Sequence, residues 1–89
     1  MAGNAVVVHD VNMLETFGGA LQEKRDELEN LYVSLSAETL QQETNWQDPQ
    51  YAYLKEQVTS YCEICKGQLN ELDDAISYIS SLVAKLRDM

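Results

Sequence analysis

Turn-forming residues are scarce in this chain: four glycines and one proline among 89 residues. Strand-rich folds need frequent reversals, so this scarcity favours a few long helices. Basic residues are scarce too. Six Lys and Arg stand against fifteen Asp and Glu, for a net charge of −9. That balance disfavours nucleic acid and anionic membranes, because phosphate recognition needs clustered cations. It suits solubility, or a basic partner. No apolar run approaches the roughly 20 residues of a membrane span. Ala5-Val6-Val7-Val8 is too short for a signal-peptide core and follows no basic residue. The expected localisation is therefore cytoplasmic, or secreted without a cleaved leader. With one histidine, no Ser-His or Cys-His pairing and no Gly-rich phosphate loop, neither an enzyme nor a cofactor is expected. The length has room for one domain, residues 1–89.

What the chain does have is heptad periodicity in two long segments. After an extended or flexible N-terminus over 1–11, the capping-box spacing of Asn12 and Glu15 predicts a helix over 12–42. Leu14, Leu21, Leu28 and Leu35 recur every seven residues, and Phe17 and Leu31 fill positions three residues on. Together they read as an a/d seam, with Lys24 and Glu38 at the two remaining d positions. Gly18-Gly19 weakens this helix by on the order of 1 kcal/mol per glycine relative to Ala, and also permits close approach of another helix. The polar run Gln41 to Asn45 ends it.

Asp48-Pro49 is a built-in helix start after a turn over 43–48. Asp48 is placed to accept from the first free amides, and Pro49 suits the first helical position. The second helix, 49–88, carries the row Tyr51, Val58, Cys65, Leu72, Ile79 and Leu86. Leu54, Tyr61, Ala75 and Leu82 form its d row, broken only by Gln68, and Cys62, Leu69, Ile76 and Val83 form a third apolar row. Lys85 and Arg87 suit the negative end of the helix dipole. The resulting fold is all-α: an antiparallel two-helix hairpin.

That three-row face is wider than one helix covers, and a hairpin has no third layer to bury it. Association follows as an expectation: a dimer forming a four-helix bundle, either a homodimer or a heterodimer with another hairpin or a helical segment. Two copies at −9 repel, which tilts the choice toward a heterodimer. The residues expected to meet the partner are Phe17, Leu21 and Leu28 of the first helix, Leu69, Ile76 and Val83 of the second, and Trp46 at the hairpin tip, partly exposed.

Cys62-Glu63-Ile64-Cys65 has the Cys-x-x-Cys spacing of redox and zinc sites. Redox pairs sit at helix N-termini, whereas this pair lies deep in a helix, and zinc needs about four ligands. Two buried small hydrophobes are the plainer reading, with a metal bridging four thiols of a dimer as the alternative. Glu71, Asp73 and Asp74 follow no ligand spacing. Lys24, expected level with Cys65 to Gln68, either lays its stem on the seam and reaches solvent or forms a register-fixing polar layer.

A hairpin of about 90 residues turning at a central tryptophan resembles the WXG family of bacterial type VII (ESX) secretion substrates and partners. The resemblance covers the whole chain and rests on Trp46 alone at motif level. It implies a helical substrate, or a helper that binds the helical segment of an LXG-type toxin, acting as a dimer without enzymatic chemistry. Two departures are visible. Asp48 stands where the family has glycine, and Tyr78 is followed four residues later by Leu82 rather than the acid of the export signal. A coiled-coil adaptor or structural subunit unrelated to secretion is the alternative.

Overall fold

The computed structural model describes residues 6–88, so the first five residues of the expected extended N-terminus lie outside the described part. Helix α1 runs Val11–Gln41, a 3-10 turn Gln42–Thr44, and helix α2 Pro49–Arg87. The helices pack antiparallel as a hairpin of 62 × 26 × 15 Å, with no strand among the described residues. The length of the 39-residue α2 accounts for the long dimension at about 1.5 Å per residue.

The start of α2 follows the expected chemistry. Asp48 is extended, and its Oδ1 accepts from the amides of Gln50 at 2.9 Å and Tyr51 at 3.2 Å, with Pro49 at the first position. The start of α1 corrects the expectation. Its cap is Asp10, whose carboxylate accepts from the Met13 amide at 3.0 Å, and not Asn12. Asn12 and Glu15 both turn instead to Arg87, which donates to Asn12 Oδ1 at 2.7 Å and to both Glu15 oxygens at 2.9 Å. This clasp joins the start of α1 to the end of α2. The polar run after α1 is a structured bend: the Trp46 and Asn45 amides both donate to the Gln42 carbonyl, at 2.7 and 3.0 Å.

The seam also differs from the expected one. The row Leu14, Leu21, Leu28 and Leu35 pairs with the residues four on, Gly18, Arg25, Tyr32 and Thr39, and not with those three on. Gly18, Arg25, Tyr32 and Thr39 are half-buried, whereas Phe17, Lys24, Leu31 and Glu38 are exposed. On α2 the interior is made by Tyr51, Val58, Cys62, Cys65, Leu69, Ile76 and Val83. The third row is therefore seam, and the row Leu54, Tyr61 and Ala75 is the exposed one. Helical rotation of about 100° per residue puts Phe17, Leu28, Leu31 and Leu35 on one side of the α1 seam and Glu15 and Gln22 on the other.

Two residues explain the choice. Gly18 lets α2 approach so closely that a Cβ there would stand 3.0 Å from Ile79 Cγ2. Arg25, with its side chain 16% exposed, forks onto Asp73 (Nε to Oδ1 2.7 Å, Nη2 to Oδ2 3.2 Å) and donates to Glu29 at 2.8 Å. The hydrogen bonds from Arg25 to Asp73, then to Glu29, hold this guanidinium's pKa above its ordinary value. The seam's polar layer is thus Arg25 and not Lys24. Lys24 is 73% exposed and pairs with Glu27 on its own helix. Arg25 meets Asp73, so position 24 is level with residues near 74 and not with Cys65 to Gln68.

The adjacent glycines separate in their expected responses. Nothing lies within 4 Å of a Cβ on Gly19, so Gly19→Ala gains helix propensity of about 1 kcal/mol. Gly18→Val must push Ile79 aside and loses about 1–3 kcal/mol by overpacking. Chemical denaturation of the two variants reads the opposite signs.

Candidate functional site

The exposed rows of both helices fall on one long edge of the hairpin. Between them runs an open groove of about 650 Å³ lined by Leu28, Leu31 and Leu35 of α1 and by Tyr61, Leu72 and Ala75 of α2, with Tyr32, Cys65 and Leu69 deeper in it. Leu31 is 66% exposed, and Leu54 and Ile64 extend the apolar surface along α2. Toward the far end Val6 lines a second cleft with Tyr78, Leu82 and Leu86, so the N-terminal segment flanks the end of the row.

The opposite edge carries the ties between elements, although Val33 and Leu40 are exposed on its α1 side. Arg25–Asp73, Arg87–Glu15 and the Lys55–Glu43 pair at 2.7 Å all lie on that side or in the seam. Among the described residues no ion pair crosses the apolar groove. The asymmetry lies in the ties: the ion pairs between elements fall on one edge or in the seam, and the other holds the continuous apolar groove. Apolar surface gathered in this way marks an interaction site more often than scattered exposed residues do.

Of the residues expected to meet a partner, Phe17 and Leu28 are exposed on the groove side. Leu21 and Ile76 are half-buried in the seam, and Leu69 and Val83 are buried inside the hairpin itself. The last four thus spend their surface on the sister helix, because the third row of α2 faces α1. Leu31, Tyr61, Leu72 and Ala75 take their place in the groove. For Leu31, Tyr61 and Ala75 the signal is the apolar spacing of rows interrupted by Lys24, Glu38 and Gln68, which the heptad pattern assigns to the seam.

Trp46 is half-buried at the tip. Its indole N–H donates to Asp48 Oδ2 at 2.9 Å, and its ring lies 5.6 Å from that of Tyr51, tilted by 50°. Asp48 therefore accepts from the indole with one oxygen and caps α2 with the other. The Trp46 hydrogen bond first, then the Tyr51 amide, holds its pKa below the ordinary carboxylate value. A carboxylate with a lower pKa in the folded state stabilises the fold above the unfolded-state pKa. That contribution fades as the pH falls through the ordinary carboxylate range and below it. Asp48→Asn should accordingly flatten the acid limb of a stability-against-pH curve between about pH 5 and 2, with little change in its neutral shape. An unchanged acid limb would remove Asp48 from this role.

Cys62 and Cys65 are both free and half-buried. The Cys62 thiol lies 3.5 Å from the Tyr32 carbonyl, and burial followed by the neighbouring Cys65 pushes its pKa up. A raised thiol is a poor nucleophile and metal ligand. Glu71, Asp73 and Asp74 divide among different tasks, since Asp73 holds Arg25 while Glu71 lines the groove. Among the described residues no group of three or more His, Cys, Asp or Glu side chains is placed to hold a metal ion. Nor is any described helix long and apolar enough to cross a membrane.

No protein-family model matches the chain, and neither a curated protein nor a solved structure is significantly similar to it.

Proposed function

We propose that this hairpin is a non-enzymatic protein-binding module of the WXG type. In this reading it is a substrate or helper of bacterial type VII secretion and acts by helix–helix association. The uncovered apolar groove along one edge carries the reading, because a solvated hairpin gains nothing from Leu31, Leu54 and Tyr61 aligned on one face. The tip supports it in a second way. Trp46 sits at the turn between two long helices, as the resemblance requires, and remains accessible beside Asp48 and Pro49. A homodimer or a heterodimer with another helical hairpin or a toxin's helical segment would complete a four-helix bundle.

Asp48 in the place of glycine, and Leu82 four residues after Tyr78, favour a partner-carried role over independent export. The same two residues keep a second reading open, that of a coiled-coil adaptor with no link to secretion. Comparing culture supernatants of the native host with and without its type VII ATPase separates the two. Loss of the chain, together with a co-purifying helical protein, from the ATPase-null supernatant is the expected result. Equal amounts in both supernatants would leave the adaptor reading.

A further inference from the structure

The charges around the groove say which kind of helix completes it. Four of the six bases are already committed within the chain: Lys24 to Glu27, Arg25 to Asp73 and Glu29, Lys55 to Glu43, and Arg87 to Glu15. The acids are in excess, and some of the excess stands at the groove. Glu71 lines it on α2, and Glu38 follows Leu31 and Leu35 on α1, where its carboxylate accepts only from Ser34 at 2.9 Å. Neither Glu38 nor Glu71 has a cation within 4.0 Å among the described residues. A second copy laid face to face would bring these acids together over an apolar strip where charge repulsion is weakly screened. Among the described residues only Lys66 and Lys85 stand outside an ion pair, and two copies at −9 repel overall.

We infer that the groove is completed by a heterologous amphipathic helix with Lys or Arg flanking its apolar stripe, and not by a second copy of this chain. This deepens the association reading above and rests on it. The length of the occupant is bounded on the page. On the groove row of α2 the apolar positions run from Leu54 to Ala75, beyond which Val6 lines the next cleft with the exposed Tyr78 and with Leu82, Lys85 and Leu86. At 1.5 Å per residue that stretch spans about 32 Å, roughly six helical turns of partner. Its apolar residues recur at i, i+3, i+4 and i+7 to fill the space between the two rows, and its cations face Glu71 on the α2 wall and Glu38, one heptad past Leu31 on the same exposed row of α1.

The test uses the full chain and two synthetic 24-residue helices with the same Leu stripe, one flanked by Lys and one by Glu. Binding is read by fluorescence anisotropy of the labelled peptide, and the mass of the chain alone by sedimentation. The Lys-flanked helix should bind at least tenfold more tightly at low salt, with the ratio falling as salt rises. A Glu38→Lys, Glu71→Lys double variant should reverse the preference, and Leu31→Ser should abolish binding of both while helix content holds. Equal affinities, or a preference that survives the double variant, would overturn the basic partner. A dimer dispersed by Leu31→Ser would overturn it too, yet leave association through this face standing. A monomer that binds neither helix would remove both.

Discussion

Leu69→Ala should lower the stability of the hairpin sharply, whereas Leu31→Ala leaves it nearly unchanged. The two leucines look equivalent in a heptad pattern, but Leu69 is 5% exposed between the helices and Leu31 is 66% exposed on the groove wall. Truncating a buried leucine removes its transfer free energy and opens a cavity, at about 2–5 kcal/mol. Small domains have little margin, typically about 5–10 kcal/mol for a chain near this length, and a two-layer hairpin sits at the low end. Leu31 has little to lose, since most of its surface is already in water. Circular dichroism melts of the two variants provide the check. Equal destabilisation would mean that the groove is closed by the chain itself.

Tyr51→Ala should be of similar size and should act through the turn. Tyr51 is buried, its hydroxyl donates to the Thr39 carbonyl at 2.8 Å, and its ring supports Trp46. It therefore joins the last turns of α1, the tip and the first turn of α2 in one residue. Losing the ring costs about 3–5 kcal/mol by analogy with other aromatic truncations. Tyr51→Phe keeps the ring and removes only the bond to Thr39, for about 0.5–1.5 kcal/mol. Urea denaturation of the two variants separates ring from hydroxyl. A Phe variant as unstable as the Ala variant would place the whole effect in the hydrogen bond.

The hairpin was legible in the sequence because its signals are local. Asp48-Pro49 starts a helix by its own chemistry, and the heptad rows set two long helices with one bend. The seam was less legible because both helices carry apolar residues on more than one row. Leu14, Leu21, Leu28 and Leu35 fit a partner row three residues on or four residues on, and side-chain polarity points the wrong way. Phe17 and Leu31 are better hydrophobes than Gly18 and Arg25, yet the latter pair face α2. What decides the matter is non-local: the close approach that Gly18 allows to Ile79 and the complement that Asp73 offers Arg25. Neither can be seen until the register is known. The candidate groove was hidden for the same reason, since a row assigned to the wrong face hides the surface that it leaves open. The Asp10 cap is hidden in the sequence because Asn12 and Glu15 satisfy a motif that the folded chain uses for its Arg87 clasp.

The placement of the chain's one tryptophan at the tip has an optical consequence. Its indole is held by Asp48 and lies against Tyr51, on the opposite side of Tyr61 from the middle of the groove. Its emission therefore reports on the bend and responds least to what binds over the middle of the groove. A partner that quenches it must reach around the end of the hairpin. One that leaves it unchanged must lie only along the edge.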